Sequence, residues 1–379
     1  MNKEAAYWIA LAHLPGWGYQ KINNLIVRFY HDNKMSIDEF FNLSESEWEN
    51  YCGLELKDID DLKKAKSELA NNAFLAESLF NEGYELIPIT SVDYSKTLKE
   101  NLKATHAPSL LYVKGNIKIM QEKSVAIVGS RNASDKSLQF TDNIAKLASQ
   151  EYKVVVSGFA KGVDKQALDS AIKYNGQSII VLPQGIMTFG SGFKTYYKQI
   201  INGDVLVLST FFPKAPWKVE LAMARNPIIY GLASEIYVAE SSDKGGTWSG
   251  VVDGLRKKRT IYVRESAQFE NNANSLLIRK GAIPVDFNGH PLSVYEDLQT
   301  SVMEMQLKEP EVSYENKILD LLKSGEYTIK EIITRLELDW TEKKLSDFVK
   351  AQKEVQVIHK KPLQYTLKSR EIAQKSLFD

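Results

Sequence analysis

One pattern constrains this chain more than any other. Between Ser124 and Val285, short apolar segments alternate with stretches of helical period. The apolar segments fall at 125–128, 154–156, 178–182, 205–208, 236–239, 260–263 and 282–285. Helical patterning is expected at 137–149, 164–174 and about 195–201, in a helix ending near Leu232, and at 247–257 and 273–280. Strands covered on both faces read as unbroken apolar runs, and their alternation with helices predicts a parallel, doubly wound α/β sheet.

The flanks have a different texture. Ile9, Ala10, Leu11 and Leu14 give an apolar helical face, Pro15-Gly16-Trp17-Gly18 breaks it, and Ile22, Leu25, Ile26 and Phe29 resume it. This predicts a helix-hairpin-helix-like start to an all-helical domain over 1–80. Strands are expected at 84–90 and 109–114, so the sheet domain spans 81–302. Residues 303–313 read as a polar linker. Residues 314–379 predict a winged helix-turn-helix: a helix at 314–322, a capping box of Thr328 and Glu331 opening a second helix, a third at 341–353, then strands at 355–358 and 364–367.

Composition excludes several classes. The 379 residues are 44% hydrophobic and 25% charged, which is the balance of a globular protein rather than a disordered one. No apolar run reaches the ~18 residues of a membrane helix, and residues 1–14 lack a secretory pattern. One cysteine and five histidines leave no thiolate metal site and no expectation of a metal or cofactor. A reducing cytosol is the expected compartment. Lys and Arg total 48, as do Asp and Glu, so any contact with nucleic acid must be made through a local patch.

Two loops carry candidate chemistry. Gly129-Ser130-Arg131 follows the first strand of the sheet, where ligands of doubly wound folds sit. Gly129 lets backbone approach a ligand, Ser130 offers a hydroxyl, and Arg131 offers a fork for phosphate. Ser157-Gly158-Phe159-Ala160-Lys161-Gly162-Val163-Asp164 follows the next strand and opens a helix, which makes an anion cradle of backbone N–H groups. Asp164 also reads as an N-cap, and Lys161 as a solvated loop charge.

These residues resemble the Smf/DprA family of DNA-processing proteins. VAIVGSR followed by SGFAKGVDKQALDSAI carries the resemblance, and HLPGWGYQKI, TSVDYSKTLKENLKATHAPSLLYVKGN, ARNPIIYGLASEIYVAES and LLIRKGAIPV extend it over most of the chain. The resemblance implies a non-enzymatic, often dimeric protein with an extended Rossmann-like domain, a doubly wound and mostly parallel sheet. It binds single-stranded DNA, protects incoming strands in natural transformation and helps load the RecA recombinase. By motif match, Gly129, Ser130, Arg131, Ser157, Gly158, Lys161, Gly162, Arg225 and Asn226 carry over to the DNA cleft. The chain departs from the family where Leu168 replaces a His, where Pro227 replaces the second Arg of Arg-Asn-Arg, and where Thr210-Phe211 replaces a common Ser-Glu.

A related group of nucleotide phosphoribohydrolases gives a second expectation. Gly246-Thr247 resembles the end of its Gly-rich loop, and Met223-Ala224-Arg225 faintly resembles its preceding motif. Its catalytic Glu corresponds to Gly250, which has no carboxylate for acid–base work; Glu240 and Asp253 are the nearby substitutes. A non-catalytic sensor of a nucleotide-derived signal is the remaining alternative.

Four further segments each have a DNA reading and a structural one. The turn at 14–18 either offers amides to phosphate or packs two helices. Phe193-Lys194-Thr195-Tyr196-Tyr197-Lys198 either stacks bases or packs on the sheet. Arg256-Lys257-Lys258-Arg259 either extends a DNA path or completes a helix end. Lys343, Lys344, Lys350 and Lys353, with His359-Lys360-Lys361, either face DNA or decorate a protein-binding module.

Overall fold

A computed structural model describes residues 4–267, 269–292, 314–336, 338, 340–352, 354–358 and 362–367. They fall into two compact units, Met1–Tyr295 and Glu296–Asp379. The first unit is built on one nine-stranded sheet: β1 (Glu85–Pro88), β2 (Leu110–Lys114), β3 (Ser124–Gly129), β4 (Val154–Ser157), β5 (Ser178–Val181), β6 (Val205–Ser209), β7 (Glu235–Glu240), β8 (Ile261–Arg264) and β9 (Ile283–Val285). The spatial order is β1-β2-β6-β5-β4-β3-β7-β8-β9. From β6 to β9 every pairing is parallel, while β1 and β2 add an antiparallel edge.

The strand sequences explain the layering. Val125 and Ile127 join one core with Phe140, Ile144, Val163 and Ala167, whereas Ala126 and Val128 face the other with Ile228, Ile229 and Val251. Successive β residues point to opposite faces, so an all-apolar β3 can hold both layers of helices at once. The helices Asp135–Gln150 and Val163–Lys173 cover one face. The helices Val219–Leu232 and Gly246–Arg256 cover the other.

The residues expected as a separate helical domain fold as helices, among them Ala5–Ala12, Tyr19–Ile26, Glu45–Cys52, Leu56–Ser67 and Leu69–Asn81. A core shared with the sheet crosses the boundary expected near residue 80. Asn23 donates to the carbonyls of Ala104 (2.9 Å) and Ala107 (2.8 Å) at the end of the helix Lys96–His106. His13 packs between Tyr112 and Phe212, its Nε2 2.9 Å from the Tyr112 hydroxyl. Burial holds the His13 imidazole down at about 4.

In the second unit the helices Tyr314–Lys323, Ile329–Arg335 and Glu342–Ala351 precede the antiparallel strands Val355–Ile358 and Gln364–Leu367. Thr328 and Glu331 form the reciprocal capping box their spacing predicts. The expected linker at 303–313 lies outside the described residues, as do Lys353, His359, Lys360 and Lys361. Among the described residues no helix is long and apolar enough to cross a membrane.

Candidate nucleic-acid interface

The strand order fixes where a ligand can sit. β4 lies on one side of β3 and β7 on the other, so the loops leaving β3 and β7 part at the centre of the sheet. Doubly wound sheets open a crevice at this switch point. Here β3 and β7 also slip register between Val128 and Gly129, and Ser130 N–H donates to the Glu240 carbonyl. A cleft of about 370 Å³ follows, lined by Ser130, Arg131, Asn226, Lys244, Gly246 and Thr247 among others.

The loops are laced to one another. Val163 N–H donates to the Ser130 carbonyl (3.2 Å), and Thr247 Oγ1 donates to the Gly129 carbonyl (3.1 Å). The glycines allow this lacing. Gly162 has φ +85°, and a Cβ there would lie 2.4 Å from the Ser130 carbonyl oxygen and 2.6 Å from that of Arg131. Any other residue would be strained in conformation and would push the loops apart. At Gly129 the missing side chain's space belongs to Val163, and at Gly158 to the Arg225 guanidinium. The Gly129 backbone itself lines the central cleft, while the space a side chain would need there is filled by the protein.

The basic side chains divide into two kinds. Arg131 and Lys161 are exposed and, among the described residues, have no carboxylate partner within ion-pair distance. Arg131 lines the central cleft and two further cavities. One of about 320 Å³ includes Phe159, Lys161, Phe189, Trp217 and Arg225; one of about 300 Å³ includes Asn132, Lys161, Lys165 and Asp169. Arg225 is different. It is 4% exposed and pairs with Asp164 at 3.6 Å, while its Nε and Nη1 find no hydrogen-bond acceptor among the described residues. Burial lowers its pKa and raises that of Asp164, and each charge opposes the shift on the other. Asp164 is thus not the N-cap, a place held by Gly162; it is the counter-ion that fixes Arg225 over Gly158.

Ser157 and Asn226 complete the set expected from sequence. The Ser157 hydroxyl is buried and donates to the Ile127 carbonyl (3.2 Å), so it ties β4 to β3 rather than facing the cleft. Asn226 is half-buried, lines the cleft and packs against Gly246. Sequence reasoning did not single out Trp217, whose indole is 49% exposed on the wall of the 320 Å³ cavity.

The sequence profile described as DNA recombination-mediator protein A matches residues 85–293, more than half of the chain. The chain belongs to the DNA recombination-mediator protein A family. The DNA processing protein DprA of Streptococcus pneumoniae is 30% identical over 193 residues, 50% of this chain and 68% of that protein. DprA of Bacillus subtilis is 27% identical over 205 residues, 53% of this chain and 68% of the relative. The X-ray structure of DprA from Streptococcus pneumoniae superposes with a TM-score of 0.62 at 23% identity, covering 74% of this chain and 94% of that one.

The departures from the family pattern have structural consequences. Leu168 is buried in the core, and Pro227 sits within the helix Val219–Leu232, where it faces a side crevice rather than the central cleft. At Gly250 a Cβ would lie 2.8 Å from the Tyr230 ring. Glu240 accepts from Ser134 N–H and from the Ser134 and Ser137 hydroxyls, and Asp253 pairs with Arg256 and Lys257. Both substitute carboxylates are engaged internally.

The outlying segments take mostly structural places. Trp17 is buried and donates Nε1 to Asp61 (3.1 Å). Tyr196 is buried and bonds Asp169, whereas Tyr197 is exposed and lines none of the three rim cavities. Arg259 bonds the Tyr230 and Ala233 carbonyls at the end of a neighbouring helix. Lys343, Lys344 and Lys350 are exposed on their helix, and Lys344 lies over the Trp340 ring at 4.3 Å.

Proposed function

We propose that this chain holds the sugar–phosphate backbone of single-stranded DNA along the rim of the sheet without breaking a bond. Membership of the family sets its role in DNA processing and recombination. The observation that carries the finer reading is Arg131: exposed, with no carboxylate within ion-pair distance among the described residues, and shared by all three rim cavities. Lys161 stands beside it in two of them. Charge of this kind recruits phosphate by releasing counterions, and it works in a chain of zero net charge because it is local. Delivery of the strand to RecA, a homodimeric assembly and a winged helix in the second unit belong to the same proposal.

The test is gel retention of a short oligonucleotide at moderate salt. Arg131→Glu and Lys161→Glu are expected to weaken binding at least about tenfold while leaving the thermal transition in place. For a single strand, the slope of log K against log salt should fall by roughly 0.7 for each phosphate no longer neutralised. Undiminished retention in both variants would overturn the reading.

One observation favours a small-ligand reading. The helix Gly246–Arg256 starts at the central cleft, with Lys244 beside it, a setting suited to a nucleotide phosphate. For hydrolysis, Gly250 supplies no carboxylate there, and Glu240 and Asp253 are engaged internally. Calorimetry with oligonucleotides against mononucleotides separates the two ligands, and assay for released base checks for cleavage.

A further inference from the structure

We infer that Trp217 is a stacking platform for one base of the bound strand. This rests on the rim reading above. Three of the chain's six tryptophans, Trp8, Trp17 and Trp48, are buried, and Trp248 and Trp340 are half-buried. Trp217 is the exposed one, and a large ring left in water forgoes the burial that stabilises the others.

Its exposure is not looseness. The preceding segment is stitched to the loop after β5, where Gly185 N–H donates to the Ala215 carbonyl (2.9 Å) and Met187 N–H to that of Pro213 (3.0 Å), and it is closed on itself by Ala215 N–H donating to the Phe212 carbonyl (2.8 Å). Gly185 has no room for a side chain, since the Phe212 and Pro213 carbonyl oxygens each lie 2.3 Å from where its Cβ would be. Pro213 and Pro216 fix the backbone further. The indole is therefore presented by rigid chain, which removes much of the ordering cost of binding.

Its surroundings name the ligand. Trp217 shares the 320 Å³ cavity with Arg131, Lys161 and Arg225, and with Phe159 and Phe189. Phe159 and Phe189 are already engaged edge-to-face with each other, centroids 4.9 Å apart, so the indole is the exposed aromatic face on this wall. Lys214 and Lys218 flank it, both exposed and without ion pairs among the described residues. Basic groups interleaved with an open ring suit a single strand, whose bases are free to leave the stack. Stacking of this kind tolerates sequence because every base has a π face.

The test uses the full chain, a short oligonucleotide, and the same oligonucleotide with abasic positions, all read by fluorescence anisotropy. Trp217→Ala should weaken binding to the normal strand about tenfold, inside the roughly 5- to 150-fold range of a single base stack. Trp217→Phe should recover most of the loss. The salt slope should stay at the wild-type value, because no positive charge is removed. Abasic substitution should weaken the wild type but add nothing to the loss in Trp217→Ala. Equal affinity of wild type and Trp217→Ala, with Arg131→Glu still defective, overturns the stacking role and leaves the rim reading intact. Absence of oligonucleotide binding by the wild type overturns both. If Trp217→Ala binds DNA normally but sediments as a smaller species, the ring belongs to a protein interface and the inference fails.

Discussion

Two places in this chain set basic side chains beside a tight glycine turn, and they end in opposite states. At the N-terminal turn Lys21 pairs with Asp58 and lies over the Trp17 ring at 3.9 Å, while Arg28 donates to the Cys52 carbonyl at the end of the helix Glu45–Cys52. At the sheet rim Arg131 and Lys161 have no such partners among the described residues, and the acid that closes the second loop, Asp164, is occupied by Arg225. A glycine turn and a cation therefore do not make a phosphate seat. What matters is whether a neighbouring carboxylate, carbonyl or ring has already claimed the charge. Arg225, buried at the same rim, is the ion-pair partner of that carboxylate, while Arg131 acts on it only from beyond ion-pair distance.

That contrast can be broken in three ways. The largest effect is expected from Arg225→Leu, which strands the Asp164 carboxylate in a buried site. Removing one partner of a buried pair costs about 3–5 kcal/mol, readable by urea denaturation, whereas Arg131→Ala should stay within about 0.5 kcal/mol. A mild Arg225→Leu would mean that the rim is not built on that pair.

A smaller effect concerns the N-terminal helices, whose polar groups we assign to holding the sheet. His13 stays neutral in the folded chain down to about pH 4, while in the unfolded chain it gains a proton near 6.5. Between these values the unfolded state binds more protons, so stability falls as pH falls. Over that window the loss should approach roughly 2–3 kcal/mol. His13→Asn should flatten the slope between pH 6.5 and 4; a slope unchanged in that variant would free His13 from this role.

The smallest effect is the most pointed. Lys21→Ala should change oligonucleotide affinity by less than about twofold and stability by less than about 1 kcal/mol, as for an ordinary surface pair. A loss comparable to that of Arg131→Glu would erase the distinction between the two turns.

The sheet was largely legible because its strands are apolar on both faces. Val125 to Val128 or Val205 to Leu208 admit few other readings, and the loops that follow them inherit their positions from the strand ends. The helix Lys96–His106 was missed because it buries only Leu98 and Leu102, a stripe too thin to show a period, and bends at Lys103. The helix expected near 195–201 is Tyr197–Asn202, and the short helix Gly190–Thr195 before it, parted from it at Tyr196, was not expected. Within the site, Gly129, Ser130, Arg131, Gly158, Lys161 and Gly162 do meet at one rim. The burial of Arg225 was not readable, since it depends on Asp164 some sixty residues earlier in the chain and on the bare backbone of Gly158. Trp217 follows Pro213 and Pro216 in a segment where no periodicity marks a side chain as displayed rather than packed.

The Tyr230 phenol fills the space beside Gly250. A carboxylate at that position would find its seat taken, so an acid there requires the ring to move or to become smaller. Shrinking it opens a hole between two helices and gains no chemistry in return.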